Sequence, residues 1–281
     1  MNKARALTAK RVWSPDVPRG WRLRELNGAD GKPRGEWIER VGAEPAAGPQ
    51  ATVLYCHGGY YFCSPRTHRS IVFGLATRAN APVFSLDYRL APEPRFPAAL
   101  DDATAAYRQL IADGAPPRSI VIAGDSAGGG LALAALVALR DAGYPLPAGA
   151  LLFSPWTDLA ATGASIVDND GADPMFSGLA IARAARVYLG DMPATHPYAS
   201  PVYADLRGLP PLFMMAGSTE VLLDDSRRGG RRLRTRGVEQ DAARVAAVRA
   251  VHPRGEPRST AQPPSSGARR VAPPMPLRRR A

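Results

Sequence analysis

From residue 51 onward the chain alternates short apolar runs with longer amphipathic stretches, and no other feature narrows its fold as far. TVLYC (52–56), PVFSLDY (82–88), SIVIAG (119–124), ALLFS (150–154) and LFMMA (212–216) are rich in Val, Ile, Leu and Phe. Each is bounded by Gly, Pro or Ser, the pattern of a buried strand. Between them, Phe96–Asp113 sets Leu100, Ala103, Ala106, Tyr107 and Leu110 at helical spacing, and Ser126–Asp141 is rich in Ala and Leu. Strand–helix–strand repetition predicts an α/β fold with a mostly parallel sheet flanked by helices on both faces. Residues 1–50 carry Trp13, Trp21 and Trp37 in polar surroundings and are expected to pack over the sheet rather than in it. Residues 157–205 break the alternation with turn-rich sequence, DNDGADPMFSG among it, and read as an insertion. No internal repeat is evident.

Composition excludes several classes of protein. With 281 residues, 45% of them hydrophobic, the chain has enough apolar surface for a sizeable core. The N-terminal MNKARALTAKRVWSPD has basic residues but no apolar run behind them, so no signal peptide is expected. The longest uncharged small or apolar stretch, Ala127–Leu139, stops at Arg140, well short of the roughly 20 residues a membrane span needs. Two cysteines, Cys56 and Cys63, make no disulfide framework, and four scattered histidines make no zinc site by spacing. A soluble, cytoplasmic protein is expected.

The formal charge of +11 is unevenly distributed. Residues 229–281 hold 13 Arg and no Lys against three acids, Glu239, Asp241 and Glu256, a net +10 that leaves +1 on residues 1–228. A nucleic-acid footprint spread over the fold is therefore excluded. The same segment has seven Pro and no aromatic residue, and its end shows no helical or strand period, so partial disorder is expected. Three readings stand: a polyanion-binding tail, a bland solvated tail, and an ending that the fold was not built for.

The chemistry is concentrated in two loops. Gly124-Asp125-Ser126-Ala127-Gly128 follows a strand and opens a helix. A serine in so tight a strand-to-helix turn stands proud of the sheet, and its neighbours must be small to allow that backbone. The helix N-terminus also aims free N–H groups at a developing anion. An ordinary glycine-rich turn or a phosphate loop is the alternative, but a phosphate loop wants a Lys here, and Asp125 repels phosphate. His57-Gly58-Gly59-Tyr60 directly follows the first strand. Acyl transfer builds negative charge on the carbonyl oxygen, and one preorganised backbone donor lowers the barrier by roughly 3–4 kcal/mol. Gly58, Gly59 and Ala127 are the expected donors, and Cys56 and Cys63 beside this loop read as packing thiols.

With these motifs in place, the chain resembles the hormone-sensitive-lipase-like branch of the α/β-hydrolase superfamily, which contains carboxylesterases and lactone hydrolases. The matching segments are HGGYYFCSPRTHR (57–69), DYRLAPEPRFPAALDDA (87–103), GDSAGGGLA (124–132), SPWTDLA (154–160) and ASPVYADLRGLPPLFMMAGSTEVLLDDSRR (199–228). The resemblance implies a hydrolase core over 51–228 and a cap built from residues 1–50 and the 157–205 insertion. It implies cleavage of short- to medium-chain esters or lactones without cofactor or metal. Small molecules are then the expected partners, with no specific nucleic acid and no membrane span; the oligomeric state is not legible. Tyr60 stands where the family usually has a third glycine, and its ring is expected to narrow the acyl pocket. The family's acid carries over to Glu220, with Asp224 and Asp225 in the same turn read as solvated or capping residues.

Chain order serine–acid–histidine requires a base after Glu220, and His252 alone qualifies. RVAAVRAV (244–251) reads as a last strand leading into it. The family's surroundings are missing there, since Pro253-Arg254-Gly255 follows, and Gly229-Gly230 falls where a helix should continue from DDSRR at about 1 kcal/mol per Gly. The change after Arg228 resembles GC-rich coding DNA read out of frame, and the gene's alternative frame is then expected to encode a His-containing strand–loop–helix ending. On that reading His252 is an accident of frame. The rival functional class is a catalytically inactive small-molecule-binding protein on a hydrolase scaffold.

Overall fold

The computed structural model describes residues 14–42, 51–235 and 243–248, with Asp30, 232–235 and 243–248 described by their backbone. Eight strands form one sheet: β1 (Trp21–Asn27), β2 (Arg34–Arg40), β3 (Thr52–Cys56), β4 (Val83–Leu86), β5 (Ile120–Asp125), β6 (Gly149–Phe153), β7 (Leu212–Gly217) and β8 (Ala243–Val248). Their order is β1-β2-β4-β3-β5-β6-β7-β8. The β1–β2 and β2–β4 pairs are antiparallel, and every pair from β4 to β8 is parallel. Between these parallel strands run α1 (Arg69–Ala79), α2 (Ala98–Ala112), α3 (Ser126–Asp141), α4 (Ser165–Asp168), α5 (Gly178–Leu189) and α6 (Leu223–Thr235). Among the described residues no helix is long and apolar enough to cross a membrane.

Burial follows the sequence pattern. Strands β3 and β4, covered on both faces, are buried at every position, which is why they read as continuous apolar runs. Helix α3 is the densest part of the core: Ala127–Val137 and Leu139 are all buried. It lies so close to the end of β3 that a Cβ at Gly128 would collide with the carbonyls of Cys56 and His57.

Two expectations are corrected here. Residues 21–40 do not pack over the sheet but enter it as the β1–β2 hairpin, with Trp21 opposite Arg40 and Trp37 opposite Phe84. Pairing in the sheet sets Trp37 and Leu26 against one core cluster and Trp21 and Leu23 against the other, while Arg22, Arg24, Arg34 and Arg40 stay exposed and Glu36 is buried. The helix also continues past Arg228, while the last strand expected over 244–251 is present at 243–248. Helix α6 runs through Gly229 and Gly230, and β8 pairs with β7. At Gly229 a Cβ would meet Met214 Cε at 3.2 Å, so the glycine lets α6 sit tightly on β7, and this packing offsets the weak helix propensity.

Candidate active site

The carboxyl ends of adjacent parallel strands deliver the expected residues to one edge of the sheet. His57–Tyr60 follows β3, Ser126 follows β5, Ser154 follows β6, and Glu220 stands three residues past β7. Open α/β sheets collect ligands at this edge. Ser126 has φ +50°, a left-handed conformation that costs a non-glycine residue about 1–2 kcal/mol. It holds that conformation while its carbonyl accepts from Trp156 N–H at 2.8 Å. Ala127 lies in the first turn of α3, where backbone N–H groups have no intrahelical acceptor.

The loop after β3 changes one expectation. Gly58 N–H donates to Asp125 Oδ1 at 2.9 Å, so this donor is already engaged and is not free for an oxyanion. None of the described residues accepts from the N–H of Gly59 or Tyr60. The donors of this loop left without an acceptor among the described residues are therefore those of Gly59 and Tyr60. Tyr60 has φ +57° and Tyr61 +65°, and the turn closes as Phe62 and Cys63 N–H donate to Gly59 O. The Tyr60 ring meets Phe176 edge-on at 5.2 Å between centroids and Trp156 at 6.2 Å. Tyr61 stacks on Tyr188 at 3.6 Å, so the segment between β6 and β7 lies against this loop.

His57 is fully buried and works from behind the loop. Nδ1 donates to Gly58 O at 2.9 Å, and the ring stacks on Tyr88, whose hydroxyl donates to His57 O at 2.6 Å. Burial, together with the neighbouring His68, pushes its pKa down to about 3, so it stays neutral. Cys56 is buried beside it, and burial plus the Asp125 carboxylate push its thiol up to about 12, which leaves it a packing residue.

Glu220 is held through one oxygen. Oε1 accepts from Gly217 N–H at 2.8 Å and from Ser154 Oγ at 2.9 Å, while Oε2 has no partner among the described residues. Ser154, at φ +44°, is thus the support of Glu220, and only the sheet order reveals it. His252 lies outside the described residues. Asp225 is not a solvated rival of Glu220: it is buried, and its Oδ2 accepts from the N–H groups of Thr157 at 2.6 Å and Asp158 at 2.8 Å. Sequence reading also missed Asp125 as an acceptor hub. A signal was present in Tyr55, a hydroxyl-bearing residue inside the apolar TVLYC run, whose hydroxyl donates to Asp125 Oδ1 at 2.6 Å. Among the described residues no cluster of three or more His, Cys, Asp or Glu side chains is arranged to hold a metal.

Comparison with known proteins places this arrangement. The family model for the alpha/beta hydrolase fold matches residues 53–251. An acetyl-hydrolase of Streptomyces hygroscopicus is 49% identical over 193 residues, covering 68% of this chain and 63% of that protein. A putative acetyl-hydrolase of Mycobacterium tuberculosis is 38% identical over 227 residues, covering 78% and 70%. Among solved structures, an esterase from the bacterial hormone-sensitive lipase family superposes with TM-score 0.79 at 43% identity, covering 87% of this chain and 80% of that one. A hormone-sensitive lipase from a metagenome library gives TM-score 0.79 at 35% identity, covering 89% and 82%. The chain belongs to the alpha/beta hydrolase fold family, on its hormone-sensitive-lipase-like branch. It spans 63% of the length of the Streptomyces relative.

Proposed function

We propose that this chain is a serine-dependent carboxylic ester hydrolase acting on short-chain acyl esters and lactones. The observation that carries the reading is the Gly58–Asp125 hydrogen bond, which ties the loop bearing the uncommitted Gly59 and Tyr60 donors to the residue directly before Ser126. Ser126 Oγ attacks the ester carbonyl as His252 takes its proton, and the carbonyl oxygen becomes an oxyanion facing the N–H groups of Gly59, Tyr60 and Ala127. His252 then gives that proton to the departing alkoxide. Water, deprotonated by the same imidazole, cleaves the acyl-enzyme and regenerates Ser126. Glu220, anchored at Oε1 by Ser154 and Gly217, offers Oε2 to the imidazole, orients it and stabilises its protonated form. The segment between β6 and β7 caps the site. A short acyl group is favoured by the Tyr60 ring, and relatives named acetyl-hydrolases support it. The expected partner is a small-molecule ester, and no step calls for a cofactor.

The test is a burst and turnover assay with p-nitrophenyl acetate on the full chain and on Ser126→Ala, Glu220→Gln and His252→Ala. Ser126→Ala and His252→Ala are expected to lose turnover by about 10⁴-fold or more, and Glu220→Gln by a smaller factor. Unchanged turnover in Ser126→Ala overturns the reading. One observation favours a second reading, a binding protein on a hydrolase scaffold: the family match ends at residue 251, one short of His252. A folded wild type without turnover, or slow activity indifferent to His252→Ala, supports that alternative and a shifted reading frame at the C-terminal end.

A further inference from the structure

We infer that Asp125 and His68 form a positioning pair that locks both ends of the loop between β3 and α1 onto the turn carrying Ser126. The inference rests on the reading above, in which Gly59 and Tyr60 of that loop stabilise the oxyanion.

The chain leaves β3 at Cys56 and enters α1 at Arg69, with a 3-10 turn over Pro65–His68 just before the helix. Asp125 is the last residue of β5, which lies beside β3 with Cys56 opposite Gly124. Its Oδ1 accepts from Gly58 N–H at the start of the loop, and its Oδ2 faces His68 Nε2 at 3.1 Å at the end of the loop. One carboxylate thus fastens both ends of a segment whose free donors, Gly59 and Tyr60, directly follow the first anchor, and Ser126 is the next residue in the chain. Tyr55 Oη fixes the carboxylate from the strand side at 2.6 Å.

His68 is itself oriented. Thr67 Oγ1 lies 2.7 Å from Ser64 O and 2.7 Å from His68 Nδ1. Thr67 thereby holds the ring with Nε2 against the Asp125 carboxylate, and a hydrogen bond to a carboxylate is charge-assisted, the stronger kind. Burial raises the Asp125 pKa, but the hydrogen bonds from His68 and Tyr55 outweigh it and hold the carboxyl below its usual range. Neither side chain is a nucleophile, base or acid of the proposed reaction. Their effect is to set the distance between the oxyanion donors and the attacking serine.

The experiment compares His68→Gln, Asp125→Asn, Tyr55→Phe and the His68→Gln/Asp125→Asn double variant with the wild type. Three quantities are read: kcat and KM on p-nitrophenyl acetate, inhibition by a short alkyl boronic acid that forms a tetrahedral adduct with serine, and the thermal midpoint. A donor displaced by about 1 Å costs on the order of 10²-fold in rate. Accordingly His68→Gln and Asp125→Asn are expected to lower kcat by about 10- to 100-fold, leave KM within about twofold, and weaken the boronic acid by the same factor as kcat/KM. Tyr55→Phe is expected to lose about threefold, and the double variant to be no worse than the weaker single one, as for two residues acting through one contact. A thermal midpoint that falls while kcat and boronate affinity hold overturns the inference, as does a loss of kcat without loss of boronate affinity. If Asp125→Asn does not fold, His68→Gln tests the same contact. The underlying reading fails separately: then the wild type binds no boronic acid, or Ser126→Ala binds it equally well.

Discussion

Tyr60 combines two costs that a glycine avoids, since it holds φ +57° and places a ring, half-exposed, against Phe176 and Trp156. A residue kept in the left-handed region against its preference points to a side chain that contributes something in return. In the proposed site that contribution is a short wall beside the oxyanion donors, which excludes longer acyl chains. Tyr60→Gly keeps the backbone N–H, relieves about 1 kcal/mol of backbone strain and removes the wall. Added pocket length discriminates acyl groups by about 1–3 kcal/mol per methylene, so the ratio of kcat/KM for p-nitrophenyl octanoate over acetate should rise by about tenfold or more. A profile measured across acyl lengths checks this. An unchanged ratio, with activity retained, would show that the acyl limit lies elsewhere.

The β1–β2 hairpin is held to the rest of the fold by more than its strand pairing. Glu36 on β2 is 5% exposed and meets Arg69, the first residue of α1, through two bonds, Nε to Oε2 at 2.9 Å and Nη2 to Oε1 at 2.6 Å. The same guanidinium reaches Ser14 Oγ at 2.8 Å and Glu25 Oε1 at 3.3 Å, so one side chain joins the hairpin, the segment before it and the helix. Glu36→Ala leaves Arg69 desolvated without its main partner, and removing one member of such a pair is expected to destabilise by about 3 kcal/mol. Urea denaturation of Glu36→Ala, Arg69→Met and the double variant reads this, with the double variant regaining part of the loss. A single variant within about 0.5 kcal/mol of wild type would sink the claim. Legibility in the sequence follows the same physics. Strands β3 and β4 are readable because burial at every position forces continuous apolar runs, β5 to β7 because their runs stay apolar even where burial is partial, and the Ser126 turn because its smallness is local. The hairpin is not, because its alternation is short and Trp21 and Trp37 sit among charges that suggest a cover rather than an edge. The Gly58–Asp125–His68 contacts join residues far apart in sequence through strand order, which no local pattern encodes. For that reason the sequence alone offers Gly58 as a donor to substrate, whereas its N–H is engaged by Asp125.

At the scale of the whole molecule, a buried carboxylate pair joins the segment after β6 to α6. Asp225 of α6 accepts from the backbone of Thr157 and Asp158, and Asp158 pairs with Arg228 of α6 at 2.6 Å while also accepting from Thr162 and Tyr203. The two carboxylates respond in opposite ways. Burial raises the Asp158 pKa, but Thr162 and Arg228 outweigh it and hold Asp158 below the usual range. Burial, reinforced by the negative charge of Asp158, pushes Asp225 up to about 7. The sign of the consequence follows from proton counts. Between about pH 4 and pH 7 the unfolded chain releases the Asp225 proton while the folded chain keeps it, so this group lowers stability as pH rises through that window. Asp225→Asn retains an oxygen for both backbone amides and has no proton to lose. The variant should therefore match or trail the wild type near pH 4.5, where the wild-type carboxyl is protonated in the fold. It should gain on the wild type as pH rises, with a relative change on the order of 3 kcal/mol by pH 8. Denaturation curves at the two pH values check the crossing. A variant equally destabilised at both would mean that Asp225 is ionised in the folded chain throughout, and that its two amide bonds, with Arg228 nearby, compensate its burial in full.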